Sequence, residues 1–401
     1  MPSTRRLENR TTLSQRAAQR RRQLRRRRLG ALALAAAIIA AASFVLAGGL
    51  SPGRAGASRL RVGARIAARG QRQHTTGPGP GHTADGGPGS DRRLTAPGSG
   101  RRVSDAGGGR LRAAGTQRYA VGLITLHLVE PNRTATLRDG QVIPRELTTF
   151  VRYPAAGRPE DGRDLPGAPP AAGPFPLIVF GHGFDISPNF YAGLLRYWTS
   201  RGFVVAAPEF PLEKPNAPGG GPDEDDLPNQ PGDMTFLITK LLAMSAAANG
   251  PLSGLINSGQ IAVAGQSDGG DTALAVAYDP PYRDPLVRAA VILSGAEIPM
   301  LPAYTIAPGG PPLLATQGTA DNINPPSATY QFYDPAPPPK FLLLLLGAGH
   351  LPPYSSDQAA LSVVERVSTD FLRYYLQGKG TLSAMEHAGQ VPGVASLQAD
   401  P

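Results

Sequence analysis

Gly265-Gln266-Ser267-Asp268-Gly269 is a G-x-S-x-G pattern with informative flanks. An apolar run, Ile261 to Ala264, leads into it, and a helix-compatible run, Thr272 to Tyr278, leads out. A serine hydroxyl attacks an acyl carbon effectively when it sits on a sharp, strained strand-to-helix turn that projects it from the backbone. Glycines on either side let neighbouring backbone approach closely, and the start of the following helix places N–H groups near developing oxyanion charge. The same pattern occurs at Gly49-Leu50-Ser51-Pro52-Gly53, without such flanks and with a proline that argues against an ordered turn. In a chain with 49 glycines a chance match is cheap.

A serine nucleophile needs a base and a group to orient that base. His350 closes the turn Gly347-Ala348-Gly349-His350 after a strongly apolar run, and Asp321 closes Gly318-Thr319-Ala320-Asp321 after another. The order Ser267, Asp321, His350 assigns His350 to proton transfer and Asp321 to fixing the tautomer and stabilising the imidazolium. Glu297 and Asp334 are the other candidates for the acid. His127 lies inside a strand pattern and His387 in a polar C-terminal stretch, which makes both poorer bases. Gly181-His182-Gly183-Phe184 follows an apolar strand run, and its glycines can bring backbone toward Ser267. The Phe184 N–H, with the Asp268 N–H, is the expected oxyanion hole. His182 is expected to brace that loop through hydrogen bonds rather than act as a base.

These residues require a particular scaffold. Tyr119 to Glu130 and Glu146 to Tyr153 are β-rich with partial alternation, separated by a polar turn region. Short apolar runs then begin at Pro176, Phe203, Ile261, Ala289, Pro312 and Phe341, as expected of strands covered on both faces. Between them, Tyr191, Leu194, Leu195 and Trp198 share a helical face. So do Met234, Leu237, Leu241 and Met244 after a cap at Asp233, and Leu361, Val364, Val367, Phe371 and Tyr374 in a last helix. The alternation predicts an α/β fold with a mostly parallel central sheet and helices on both faces. The link from Ser294 to Pro311 is too rich in Pro and Gly for a helical lid, so no large lid and an open cleft are expected. Pro211 to Pro231 reads as a mobile loop.

From Tyr119 to Gln377, about two thirds of the chain, the sequence resembles bacterial α/β-hydrolases related to chlorophyllases, platelet-activating-factor acetylhydrolase-like esterases and the dienelactone hydrolase group. The resemblance lies in Arg145 to Ala155 (RELTTFVRYPA), Gly173 to Phe184, Phe203 to Phe210 and Asn229 to Asp233. It continues through the Ser267 turn, Gly318 to Asp321 and Gly347 to His350. It implies the α/β-hydrolase fold and carboxylic-ester hydrolysis through Ser267, His350 and Asp321. Gln266 stands where such enzymes often have His, and Asp268 where many have Leu or Met. The cysteine nucleophile of some members is excluded, because the chain has no Cys. Two alternatives stay open: a catalytically silent relative acting as a binding protein, and the same serine chemistry directed to acyl transfer or peptide bonds. Silent relatives usually lack a triad member, and all three are present here.

Charge divides the chain. Residues 1–118 carry a net +20 and the remainder −10, so the overall +10 is no footprint for nucleic acid. The basic segment 1–28 ends in four arginines, and an uncharged run from Leu29 to Leu50 follows. As a helix that run would span roughly 33 Å, close to the ~30 Å hydrocarbon thickness, although nine of its residues are Ala. This order predicts a signal peptide or membrane anchor. The catalytic part would then be exported, either secreted or tethered to the outer face of the cytoplasmic membrane. Ala55-Gly56-Ala57 resembles a cleavage site; translated upstream sequence is the alternative reading. Residues 51–118 contain no aromatic residue and are expected to be a disordered linker, with His74 and His82 solvated. The hydrolase domain is expected over 119–380, with a tail at 381–401. No cofactor and no metal site are expected, and Asp223 to Asp226 reads as a solvated acidic loop. The expected partner is a small-molecule, lipid or polyester ester substrate.

Overall fold

The computed structural model describes residues 118–160, 162–298, 305–306 and 308–401. The basic segment, the run from Leu29 to Leu50, the Ser51 motif, His74, His82 and the linker up to residue 117 lie outside the described residues. No helix among the described residues is long and apolar enough to cross a membrane.

Among the described residues, ten strands form one sheet: β1 (Ala120–Thr136), β2 (Val142–Ala155), β3 (Leu165–Pro166), β4 (Phe175–Gly181), β5 (Val204–Pro208), β6 (Ile256–Gln266), β7 (Val287–Leu293), β8 (Leu313–Gly318), β9 (Lys340–Leu345) and β10 (Ala395–Asp400). Their order across the sheet is β10-β9-β8-β7-β6-β4-β5-β2-β1-β3. The block from β5 to β9 is parallel, whereas β1 and β2 form an antiparallel hairpin and β10 runs antiparallel to β9. This is the α/β-hydrolase fold expected from the sequence.

Apolar runs without alternation are buried on both faces, and the side-chain period of two divides them between two cores. Leu177 and Val179 of β4, with Ile261 and Val263 of β6, face one core; Ile178, Phe180, Ala262 and Ala264 face the other. The first core is closed by α2 (Gln230–Ala246), α3 (Asp268–Tyr278) and α4 (Pro326–Tyr333). The second is closed by α1 (Ala192–Ser200), α5 (Gln358–Gln377) and α6 (Leu382–Gly389). On α1 the fully buried Leu194, Leu195 and Trp198, with Tyr191 just before it, are the four residues whose spacing marked the helix.

Several boundaries differ from the sequence reading. The stretch 381–401 is no tail: Thr381 caps α6 by accepting from the Ala384 N–H, Met385 is buried, and β10 extends the sheet. Short, mixed-polarity segments such as these show their apolar face only once paired. α2 starts at Gln230 rather than after Asp233, because Asp233 is buried and engaged by arginines. β1 runs on to Thr136 past a register shift between Glu130 and Thr134. A polar bulge on an exposed hairpin reads as a turn, yet Ala135 and Leu137 beyond it are buried against Leu212.

The strand order places the chemistry. The chain passes from β4 to β5 on one side and then returns past β4 to β6 on the other. In open α/β sheets the crevice at such a reversal lies outside the carboxyl ends of the strands. Here those ends are Gly181 of β4 and Gln266 of β6, with Leu293, Gly318 and Leu345 ending β7 to β9 in sequence along the same edge.

Candidate active site

Ser267 joins β6 to α3 with φ 55° and ψ −126°, a conformation few non-glycine residues adopt. Its N–H donates to Leu293 O at 3.0 Å, and its carbonyl accepts from the Asp271 N–H at 2.9 Å, so both flanks of the turn are fixed. The flanking glycines are steric requirements. A Cβ at Gly265 would overlap the Gly269 carbonyl, and one at Gly269 would overlap the Gly181 backbone.

His350 bridges the other two residues. Its Nδ1 lies 2.7 Å from Asp321 Oδ2, and its Nε2 lies 2.9 Å from Ser267 Oγ. Asp321 Oδ1 accepts from the N–H groups of Ile323 at 2.9 Å and Asn324 at 3.0 Å, so the carboxylate is held from behind. A carboxylate accepts only, which puts the ring proton on Nδ1 and leaves the Nε2 lone pair facing the Ser267 hydroxyl. All three residues are buried, with 4–5% of their surface accessible. The Asp321 and His350 turns hold each other: Ala320 N–H donates to Ala348 O, and Gly347 N–H to Thr319 Oγ1.

The loop after β4 packs on Ser267. A Cβ at Gly183 would stand 3.1 Å from Ser267 Cβ and 2.9 Å from Gln266 Oε1, and Phe184 is the next residue. His182 is wholly buried and does brace this loop. Its Nε2 accepts from the Phe210 N–H at 2.9 Å, so Nδ1 carries the proton and donates to Gly183 O at 2.8 Å. Burial pushes its pKa down to about 4, which keeps the ring neutral. The remaining candidates are elsewhere. His127 sits beside Glu146 on β1, His387 is exposed on α6, and Asp334 follows α4. Glu297 is half-buried and has no hydrogen bond to His350.

Sequence reasoning missed three things. First, Pro211 to Pro231 is not a mobile loop. Leu212, Glu213, Ala217 and Leu227 are buried, and Leu227 packs on Ala275 of α3 and on Ile298. Second, the acidic run is solvated only in part: Asp225 is exposed, but Asp226 is buried and bound by both terminal nitrogens of Arg145, at 3.0 and 2.9 Å. Arg145 also reaches Asp233 through Nε and Nη2, and Arg133 adds a contact to Asp233 at 2.9 Å. Burial opposes the Arg145 charge, but its hydrogen bonds to Asp233 and Asp226 outweigh that and hold the guanidinium protonated. Among the described residues, no group of three or more His, Asp or Glu is gathered as a metal site. Third, Gln266 and Tyr191 belong to the site through hydrogen bonds that link Gly183, Tyr191, Gln266 and His350. Of the link from Ser294 to Pro311, residues 299–304 and 307 lie outside the described residues.

Glu213 is the odd member of this neighbourhood. It is wholly buried, and its carboxyl is met by the Gln230 side chain rather than by any cation. Burial, and then the charge of Asp268, push its pKa well above the usual carboxylate value. An acid whose folded pKa is raised binds more protons folded than unfolded. Its effect is therefore absent at low pH and destabilises increasingly as pH rises above the unfolded value of about 4.3. Glu213→Gln should be more stable than the wild type at pH 8 by about 1–3 kcal/mol, with the gap closing toward pH 4. Urea denaturation at both pH values measures this, and an equal gap at the two would contradict it.

Comparisons with known proteins agree with this architecture. Residues 165–292 match the chlorophyllase family, a span that contains Ser267 but ends before Asp321 and His350. Chlorophyllase-1 of Arabidopsis thaliana is 34% identical over 109 residues, 27% of this chain. The match spans 31% of that plant protein's length. Among solved structures, a ferulic acid esterase from Streptomyces cinnamoneus superposes with a TM-score of 0.53 at 22% identity. That alignment covers 68% of this chain and 94% of the esterase. The fold is that of an α/β-hydrolase. The family match and the plant relative support a chlorophyllase-like kinship within it.

Proposed function

We propose that this protein is a serine hydrolase that cleaves carboxylic esters through an acyl-enzyme intermediate. The observation that carries the reading is His350 held between Asp321 at 2.7 Å and Ser267 Oγ at 2.9 Å, on a strained turn at the end of a parallel strand. His350 Nε2 takes the Ser267 proton as Oγ bonds to the ester carbonyl carbon, and the carbonyl oxygen becomes an oxyanion facing the Phe184 and Asp268 N–H groups. The imidazolium, steadied by Asp321, gives its proton to the leaving alkoxide as the C–O bond breaks. Water then attacks the acyl-enzyme with His350 again as base, releasing the acid and restoring the Ser267 hydroxyl. The resemblance to chlorophyllases supports ester substrates. Amines are poorer leaving groups, so amides are expected to react far more slowly.

The test is a fluorophosphonate probe together with p-nitrophenyl esters of rising acyl length. The probe should label Ser267 alone. Rates should favour short or medium acyl chains, with no jump where the ester passes its solubility limit. Labelling elsewhere, or no ester cleaved by the labelled protein's unlabelled form, would overturn the proposal.

A further inference from the structure

Gln266 precedes the nucleophile, and its side chain is fully buried between two functional loops. Its Nε2 lies 3.2 Å from His350 O and 3.2 Å from His350 Nε2. A carbonyl oxygen accepts only, so the amide must present its NH2 to His350 and its Oε1 to the opposite side. There Oε1 accepts from Tyr191 OH at 2.6 Å, and that hydroxyl in turn accepts from the Gly183 N–H at 3.3 Å. Burial raises the Tyr191 pKa, so the hydroxyl keeps the proton it donates. One continuous chain of hydrogen bonds thus runs from the loop after β4, through Tyr191 and Gln266, to both the ring and the backbone of His350.

We infer that Gln266 is a positioning residue, with Tyr191 as its support, that fixes the His350 loop and the Gly183–Phe184 loop in one mutual register. The inference rests on the function proposed above. The two loops hold the two groups that act on opposite sides of the reacting carbon: the base for the Ser267 proton and the N–H for the oxyanion. Their separation is what the transition state reads and the bound ester does not. The bond to His350 O survives every protonation state of the ring, because it uses the backbone. The contact to Nε2 is shared, since a single lone pair there meets both the Ser267 hydroxyl and the Gln266 N–H. That limits how far the ring swings from the nucleophile without replacing the serine as its partner. Gly183 must be glycine for the same reason: a Cβ would press on Gln266 Oε1.

The experiment compares the full chain with its Gln266→Met variant, which keeps volume and loses both polar contacts, and with Gln266→His, whose ring can accept from Tyr191 and donate to His350 O. Active sites are first counted with the fluorophosphonate probe. Per active site, Gln266→Met should lower kcat for p-nitrophenyl butyrate by about 10- to 100-fold while KM stays within about twofold. Affinity for butylboronic acid, which forms a tetrahedral adduct on Ser267, should fall by a similar factor. Gln266→His should recover a substantial part of both. A merely structural role would reduce the number of active sites and leave kcat per site and boronate affinity unchanged, and that result would overturn the inference. If Gln266→Met does not fold, Tyr191→Phe carries the same test, with a smaller loss of the same kind expected and an unchanged kcat per site fatal. Should the wild type cleave no ester yet react with the probe, the proposed function fails on its own. The positioning role is then read from slower labelling in Gln266→Met, and equal labelling rates would overturn it.

Discussion

Ser267→Ala is expected to lower ester turnover by about 10⁶-fold, and His350→Ala by nearly as much. In the proposed mechanism hydroxyl and imidazole form one device, since the hydroxyl 2.9 Å away attacks only while Nε2 accepts its proton. Removing either therefore removes the device, and the double variant should be no worse than the single ones. Asp321→Asn should cost about 10⁴-fold. The amide can accept from Ile323 and Asn324 as before, but it no longer stabilises a charge on His350. Residual rates above the uncatalysed reaction would come from binding and the oxyanion hole. The check is kcat/KM for a p-nitrophenyl ester for the wild type and the four variants, with folding followed by circular dichroism. Losses that multiply in the double variant, or strong turnover by Ser267→Ala, would refute the assignment.

The second large effect concerns stability. Arg145 is wholly buried, and its fork engages Asp226 and Asp233 with four hydrogen bonds that tie β2 to the turn before α2 and to α2 itself. Arg145→Met leaves two buried carboxylates, of which Arg133 reaches Asp233 and not Asp226. Breaking a buried pair from one side typically costs about 3–5 kcal/mol. In a domain of this size that amounts to a fall in Tm on the order of 10 °C. Neutralising the stranded partners as well, with Asp226→Asn and Asp233→Asn, should restore part of the loss, because the penalty comes from unpaired charge more than from the missing bridge. A single variant within about 1 kcal/mol of the wild type, by urea denaturation, would show that the network is energetically idle. The stretch between Pro211 and Pro231 should loosen with Arg145→Met, bringing Glu213 and the Asp268 neighbourhood with it.

What the sequence disclosed follows from the range of each interaction. Strands such as Ile261 to Ala264 are legible because burial on both faces leaves a local mark, an unbroken apolar run. The Ser267 turn is legible because its strain and close packing demand glycine at fixed offsets. Asp321 and His350 could be named because strand ends and chain order restrict the candidates. Arg145 carries no comparable mark: its partners lie 81 and 88 residues away, and an arginine in a strand reads as exposed. Asp226 misled in the same way, since an acidic run in a Pro/Gly-rich stretch looks solvated until its cation is known. Gln266 was visible only as a departure from the histidine often found there. Its meaning depends on Tyr191, 75 residues earlier, and His350, 84 residues later. The C-terminal strand β10 was missed because an edge strand with one exposed face has too few apolar residues to stand out.

The strand order also governs when the proposed hydrolytic site can first assemble. β4 contributes the Gly183–Phe184 loop early in the chain, but its neighbour β6 arrives some eighty residues later, after β5 has docked on the opposite side. His350 follows only β9, at the far end of the parallel block. A growing chain therefore carries Ser267 before His350, and the loop after β4 before the turn it packs against. Because these pairings are distant in sequence, loop-closure entropy makes them slow to form. On the proposed function, hydrolytic power should accordingly appear only once β9 and the His350 turn are in place.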